Sequence, residues 1–151
     1  MQFQHIDRSD PEVAYAAVRN ISGGTLSAGA AAFYDAATAD GISVSAGTAI
    51  NKYLFAGIIK LALSDSSYGR AQVYGVCSAY IGLGSSATSV ANGTQLDSVT
   101  SQTYLSAYVP IAGSSSTIAN PWNFATLMAG FDSAAAMSNT PALKTIFIRA
   151  L

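Results

Sequence analysis

"SYGRAQVYGVC", Ser67–Cys77, is the stretch whose reading decides the fold. Its residues fall into two alternating sets. Gly69, Ala71, Val73, Gly75 and Cys77 form one side, and Tyr68, Arg70, Gln72, Tyr74 and Val76 form the other. A period of two belongs to extended chain, whose successive side chains point to opposite faces. The first side is almost bare and suits a narrow interior that another sheet approaches closely. The second is amphipathic, with Tyr and Arg of the kind enriched at interfaces. Arg70 also opens a long neutral run, because the only formal charge from Ala71 to Phe131 is Asp97.

The same alternation extends outward from this stretch. In "NKYLFAGIIKLAL", Asn51–Leu63, one face collects Tyr53, Phe55, Ile59, Leu61 and Leu63, and the other holds Lys52 and Lys60. In "TYLSAYVPI", Thr103–Ile111, Leu105, Ala107, Val109 and Ile111 oppose Tyr104 and Tyr108. "LKTIFIRAL", Leu143–Leu151, reads as a last strand rich in β-branched and aromatic residues. A small turn recurs as "LSAGAA", "VSAGTA" and "VANGTQ". Gly29, Gly47 and Gly93 stand in these turns where a positive φ is expected. The turns fit corners of a closed sheet, which has no edge strands to protect.

Two segments have helical character. "AGAAAFYDAATAD", Ala28–Asp40, is rich in helix formers, but "GTLSAGAAAFYD", Gly24–Asp35, also fits strand–turn–strand, the preferred reading. "NPWNFATLMAG", Asn120–Gly130, offers an Asn120 N-cap with Pro121 at the first helical position. Trp122, Phe124, Thr126 and Met128 alternate there too, so helix and strand both stand. The predicted architecture is mainly β: a compact antiparallel β-barrel or sandwich over residues 18–151, with one short helix near 120–130 as an option. An extended N-terminal arm, residues 1–17, precedes it. Its first part holds Asp7, Arg8, Asp10, Glu12 and the sole histidine, and contains Pro11.

Composition narrows the function. With 151 residues the chain is most simply one domain. Charged residues make up 10%, against about 25% in ordinary globular proteins, and Ala, Gly, Ser and Thr fill nearly half the positions. The net charge is −1 with no basic cluster, so phosphate-backbone binding has no footing and nucleic acid is not an expected partner. A single cysteine, Cys77, excludes an intramolecular disulfide and a multi-cysteine metal site. "MQFQHIDRSDPEV" has no signal-peptide pattern. The most apolar window, Tyr53–Leu63, is 11 residues long and contains Lys60, well short of the ~20 needed to cross a bilayer. No membrane partner is expected, and folding in a cytoplasm is. The sequons at Asn20 and Asn92 then read as chance.

Candidate chemistry is thin. His5 would have to reach a serine and an acid to build a nucleophilic triad, and no Gly-x-Ser-x-Gly elbow is present. Cys77, with Gly75 and Ala79 on its own face, reads as a small buried apolar residue. "GLGSSA", Gly82–Ala87, matches a dinucleotide fingerprint, but "TSVANG" follows where a helix is required. Asp7, Asp10, Asp35, Asp40, Asp65, Asp97 and Asp132 are spread singly, in the manner of turn and cap residues. The expectation is a protein that is not an enzyme and takes no cofactor or metal.

The order of segments resembles tailed-phage capsid decoration proteins, also called cement or capsid-stabilising proteins, of the small β-barrel type. The matching pieces are "VRNISGGTLSAGAAAFYD", "YLFAGIIKLALSDSSYGRAQVYGVCSAYI", "SVANGTQLDSV" and "LKTIFIRAL". The second carries most weight: an apolar strand ending in Phe-Ala-Gly, a Ser/Asp turn, then Tyr-Gly-Arg-x-Gln-Val-Tyr-Gly. The resemblance covers residues 18–151, and its motifs are structural.

It implies a virion protein on the capsid surface, made in the host cytoplasm. It would bind the outside of the shell as a homotrimer and reinforce contacts between major capsid protein subunits. The expected interface residues are Phe3, His5, Ile6 and Arg8 in the arm, Tyr68, Arg70, Gln72 and Tyr74 in the opening stretch, and Tyr104, Tyr108 and Trp122 beyond it. The alternative is a receptor- or glycan-binding module of a phage tail or head fibre, for which Tyr and Ser are suited. A small-ligand barrel is a third reading and would need an aromatic-lined cavity.

Overall fold

The computed structural model describes residues 12–47, 54–82, 89–99, 101–107, 124–128, 131–132 and 141–150. These residues form β1 (Ala14–Asn20), β2 (Ala31–Tyr34), β3 (Ser43–Ser45), β4 (Phe55–Ile59), β5 (Tyr68–Gly82), β6 (Ser89–Val90), β7 (Leu96–Ser98), β8 (Leu105–Ala107), β9 (Ala125–Leu127), β10 (Phe131–Asp132) and β11 (Ala142–Arg149). The fold is mainly β, and no helix occurs among the described residues.

The sheet is mixed, not wholly antiparallel, because β1–β3 and β5–β8 pair in parallel. Its pairings run β1–β3–β2–β4–β5 and return from β5 to β1, so five strands make a closed circuit. The closing pair is antiparallel and runs from Arg19↔Tyr68 to Ala14↔Tyr74. The second half of β5 leaves the circuit and pairs with β11 from Tyr74↔Arg149 to Ile81↔Ala142. Strand β9 continues this sheet beyond β11, while β8 and β7 extend it from the Ile81 end of β5. Strands β6 and β10 pair separately.

Two apolar clusters lie on opposite faces of β2 and β4. The first takes Val18, Ala32, Val44, Ala56, Ile59 and Ala71 from all five circuit strands, with Leu26, Ala30 and Leu63. Alanine at so many of these positions lets the strands approach closely. Gly69 is part of the same economy of space, since a Cβ there would stand 2.8 Å from a methyl of Leu63. The second cluster takes Ala31 and Phe33 from β2, Phe55 and Ile58 from β4, and Ala79, Ile81, Leu105, Leu127, Ile146 and Ile148 from the surrounding strands. Its aromatic centre is Phe55, edge-on to Phe33 at 5.8 Å and stacked on Phe124 at 4.2 Å.

Burial on both sides explains where simple alternation fails. All of Phe55–Ile59 is buried. The sequence places Phe55 and Ile59 on one face, yet they belong to different clusters. The register with β2 slips between Ala32 and Phe33, leaving an extra residue on β4. Gly57 absorbs this bulge with φ at +135°. Phe55 and Ile58 thereby share one face, and Ala56 and Ile59 the other. Leu61, expected inside, follows the strand's end and is 74% exposed.

Other expectations are also corrected. Ala14–Ala17, assigned to the arm, already pair with β5; residues 1–11 lie outside the described residues. Gly29 and Gly93 have the anticipated positive φ, but Gly47 does not. Its constraint is spatial, because a Cβ there would come within 3.1 Å of the Phe33 ring and the Val99 carbonyl. In the alanine-rich segment the strand reading holds over Ala31–Tyr34. Helix propensity yields there to burial on both faces, and Asp35 then takes the backbone N–H groups of Ala37 and Thr38 at 3.0 and 2.8 Å to start a turn. Near 120–130, Ala125–Leu127 is strand, while Asn120 and Pro121 lie outside the described residues.

Gly57→Ala tests the bulge. The new Cβ would meet the Gln72 carbonyl at a φ that side chains rarely adopt, and a loss of roughly 2–4 kcal/mol is expected. Urea unfolding measures it.

Candidate interaction face

The outward side of β1 and the first half of β5 carries the two arginines of this region, each against a tyrosine of the other strand. Arg19 lies opposite Tyr68 in register, and its guanidinium stands over that ring at 5.8 Å. The Arg70 guanidinium stands over Tyr15 at 5.7 Å. Such contacts hold a long cationic side chain flat along the sheet and leave the ring and guanidinium edges for a partner. Tyr68 is 69% exposed, and Tyr15 and Arg70 are exposed too. Arg19 is half-buried, and its Nε is shielded from solvent with no hydrogen-bond partner among the described residues.

The bulge that pairs Ala14 with Tyr74 and Tyr15 with Gln72 reverses the alternation of β5, so Tyr74, Val76, Ser78 and Tyr80 lie on the side opposite Tyr68 and Arg70, beside β11. The cross-strand pairs are Val76↔Phe147, Ser78↔Thr145 and Tyr80↔Leu143. Tyr74 meets Phe147 edge to face at 5.5 Å. Val76, Leu143 and Met128 are exposed apolar side chains, and Arg149, opposite Tyr74, supplies charge at one end. Tyr74 is the seam between the halves, with Ala14 and Arg149 both in register with it. Next to it Gly75 has φ +98°, and the backbone of Glu12 and Val13 occupies the space a side chain would need.

Gln72 is a correction. The sequence places it with Tyr68, Arg70 and Tyr74 on the interface side, but it is buried. Its amide Nε2 donates to the carbonyls of Tyr74 and Val76 at 3.1 and 3.0 Å. Strand β4 pairs with β5 only at Ile58↔Gln72 and Ile59↔Ala71, so the side chain bonds carbonyls beyond that short pairing. Tyr104 is half-buried, and its ring fills the place a side chain at Gly82 would take. Phe3, His5, Ile6, Arg8, Tyr108 and Trp122 lie outside the described residues. The sequence reading missed Tyr15 and Arg19, although "AYAAVRN" shows them four residues apart, an even spacing that puts both on one strand face.

The remaining polar groups serve the backbone. Asn20 is buried, and its amide donates to the carbonyls of Gly24 and Leu63 at 2.6 and 2.8 Å. Its sequon amide is therefore engaged inside the fold. Asp65 accepts from the Gly23 N–H at 2.9 Å, tying two distant turns. Asp40 accepts from the Ser43 hydroxyl and from the N–H groups of Ser43 and Ile42 at 2.7, 2.7 and 2.9 Å. These bonds, the Ser43 hydroxyl first, hold its carboxyl below the usual carboxylate range.

Burial pushes the Cys77 thiol up to about 12, with Lys60 opposing weakly, so the neutral thiol persists at physiological pH. Cys77, Gln72, Lys60 and Leu143 help line a cavity of about 190 Å³ that has no aromatic wall. Among the described residues no group of three or more His, Cys, Asp or Glu is placed to hold a metal ion. No family model matches this chain, and no curated protein matches it as a relative.

Two measurements follow from this arrangement. Gln72→Leu keeps the volume but strips the side-chain donor from two carbonyls, and should cost about 1–3 kcal/mol in urea unfolding, whereas Tyr68→Ser on the exposed face should change stability by about 0.5 kcal/mol or less. Asp40 titrates lower when folded than when unfolded. Its contribution is therefore complete above the ordinary carboxylate pKa and is lost as pH falls through the lower folded value. Asp40→Asn keeps the turn acceptor but cannot titrate, so melting temperature should fall less steeply below about pH 4 than in the parent protein.

Proposed function

We propose that the chain is a structural virion protein that binds the outside of a phage capsid, assembles there as a homotrimer and reinforces contacts between major capsid protein subunits. The observation that carries this reading is exposed apolar and aromatic surface on the outer strands: Tyr15 and Tyr68 with arginines laid against their rings on β1 and β5, and a second patch with Val76 and Leu143 on β5 and β11. Covering such surface removes apolar area from water at about 25 cal/mol per Å². With few charges to desolvate, little of that gain is lost. The sequence resemblance supplies the kind of partner.

The protein acts by binding alone. A cement that binds the assembled shell and not free subunits stabilises the shell by mass action, in proportion to the logarithm of its occupancy. No catalytic group is needed, and the described polar side chains discussed above are spent on the backbone.

Cryo-electron microscopy of purified virions should show this chain at symmetry-related positions on the shell, in hundreds of copies. Its absence from virions would sink the proposal. A handful of copies at the tail would instead favour the receptor- or glycan-binding alternative.

A further inference from the structure

We propose that the paired Tyr/Arg platform, Tyr15, Arg19, Tyr68 and Arg70, is the docking site for the acidic N-terminal segment of a second copy of this chain. The inference rests on the self-association in the reading above and not on the capsid as partner.

The platform is incomplete in charge. Its two guanidiniums lean on tyrosine rings, and among the described residues neither has a carboxylate partner. Arg19 is half-buried, and its Nε is shielded from water with no hydrogen-bond partner among the described residues, so the rest of its guanidinium is open to an anion. The described turn acids are held elsewhere: Asp35 and Asp40 accept hydrogen bonds within their own turns, and Asp65 ties its turn to that of Gly23. The chain's other concentration of acid is at its N-terminus, where Asp7, Asp10 and Glu12 outnumber Arg8, alongside apolar Phe3 and Ile6. A segment with carboxylates and a few apolar side chains is the complement of a platform made of guanidiniums and rings.

Geometry favours a neighbour as the donor of that segment. Strand β1 runs from Ala14 towards Asn20, so Tyr15 and Arg19 lie after the point where the segment joins. A chain entering at Glu12 comes from beyond the Tyr15 end of the platform. To cover its own platform it would have to reverse direction before Glu12, whose backbone already lies against Gly75, beyond Tyr74 from Tyr68 and Arg70. Eleven extended residues span up to about 35–40 Å, enough to reach an adjacent copy. A contact of this kind is heterologous, segment to platform, and closes when repeated around a three-fold axis.

Sedimentation velocity of the full chain, over a micromolar concentration series, tests the inference. The parent chain should self-associate, more weakly as salt rises. Arg70→Glu should weaken association by about tenfold or more. Adding Asp7→Lys and Asp10→Lys to Arg70→Glu should restore it to within about threefold of the parent. Tyr68→Ser, at an exposed position, provides a second variant, and circular dichroism melts confirm that each variant folds. A parent that stays monomeric, an Arg70→Glu variant that associates like the parent, or a charge reversal without recovery would each overturn the proposal. Self-association that follows this pattern in a protein that fails to bind shells leaves the inference standing and removes only the capsid reading.

Discussion

Everything in this fold depends on how β5 changes partners part-way along its length. Over 15 residues it closes the five-strand circuit with β1 and then forms a second sheet with β11. The handover occupies Gln72–Gly75. There the register with β1 slips, the Gln72 amide bonds the carbonyls of Tyr74 and Val76, and the backbone of Glu12 and Val13 passes over Gly75. The end of β11 returns to the same place, where the Ala150 N–H donates to the Val73 carbonyl at 2.8 Å. A buried backbone must have its polar groups satisfied, and this junction meets that demand with one amide side chain and close chain crossings. An apolar side chain at position 72 would leave the carbonyls of Tyr74 and Val76 without this donor.

That constraint also sets the core. A circuit this small cannot hold large side chains from every strand, so Ala30, Ala32, Ala56 and Ala71 fill it around Val18, Val44 and Ile59. The larger residues, Phe33, Phe55, Phe124 and the isoleucines, are placed on the opposite face of β2 and β4, where the second sheet has room for them. Alanine-rich strands with both faces buried look, in sequence, like helix. Here packing overrides propensity.

The strand class, the turns at Gly29 and Gly93 and the final strand were legible in the sequence because each leaves a local signature: a period of two, a glycine with positive φ, a β-branched run. What escaped has a shared physical origin. Gly57 flips the alternation of β4 by a bulge that depends on β2, a distant segment. Gln72 is buried beside its cross-strand partner Ile58, a member of the second cluster. Gly47 is required by the Phe33 ring and the Val99 carbonyl, not by its own φ. Leu61 reads as core only if the strand is assumed to continue. Tyr15 and Arg19 were hidden by assigning their strand to an arm. In each case the deciding contact lies far away along the chain.

The neutral run that begins after Arg70 therefore has two causes. Ala79, Ile81, Leu96, Leu105, Phe124, Ala125 and Leu127 are uncharged because they are core. Val76, Ser78 and Met128 are uncharged and exposed. Charge elsewhere follows the same division. The carboxylates of Asp35, Asp40 and Asp65 accept from backbone N–H groups in turns, the first two within their own turn and Asp65 from the distant Gly23. This division makes the β1–β5 platform, with its two guanidiniums laid against tyrosine rings, more than the neutral sheet beside it, the part of the described surface with a chemically defined preference for an anion.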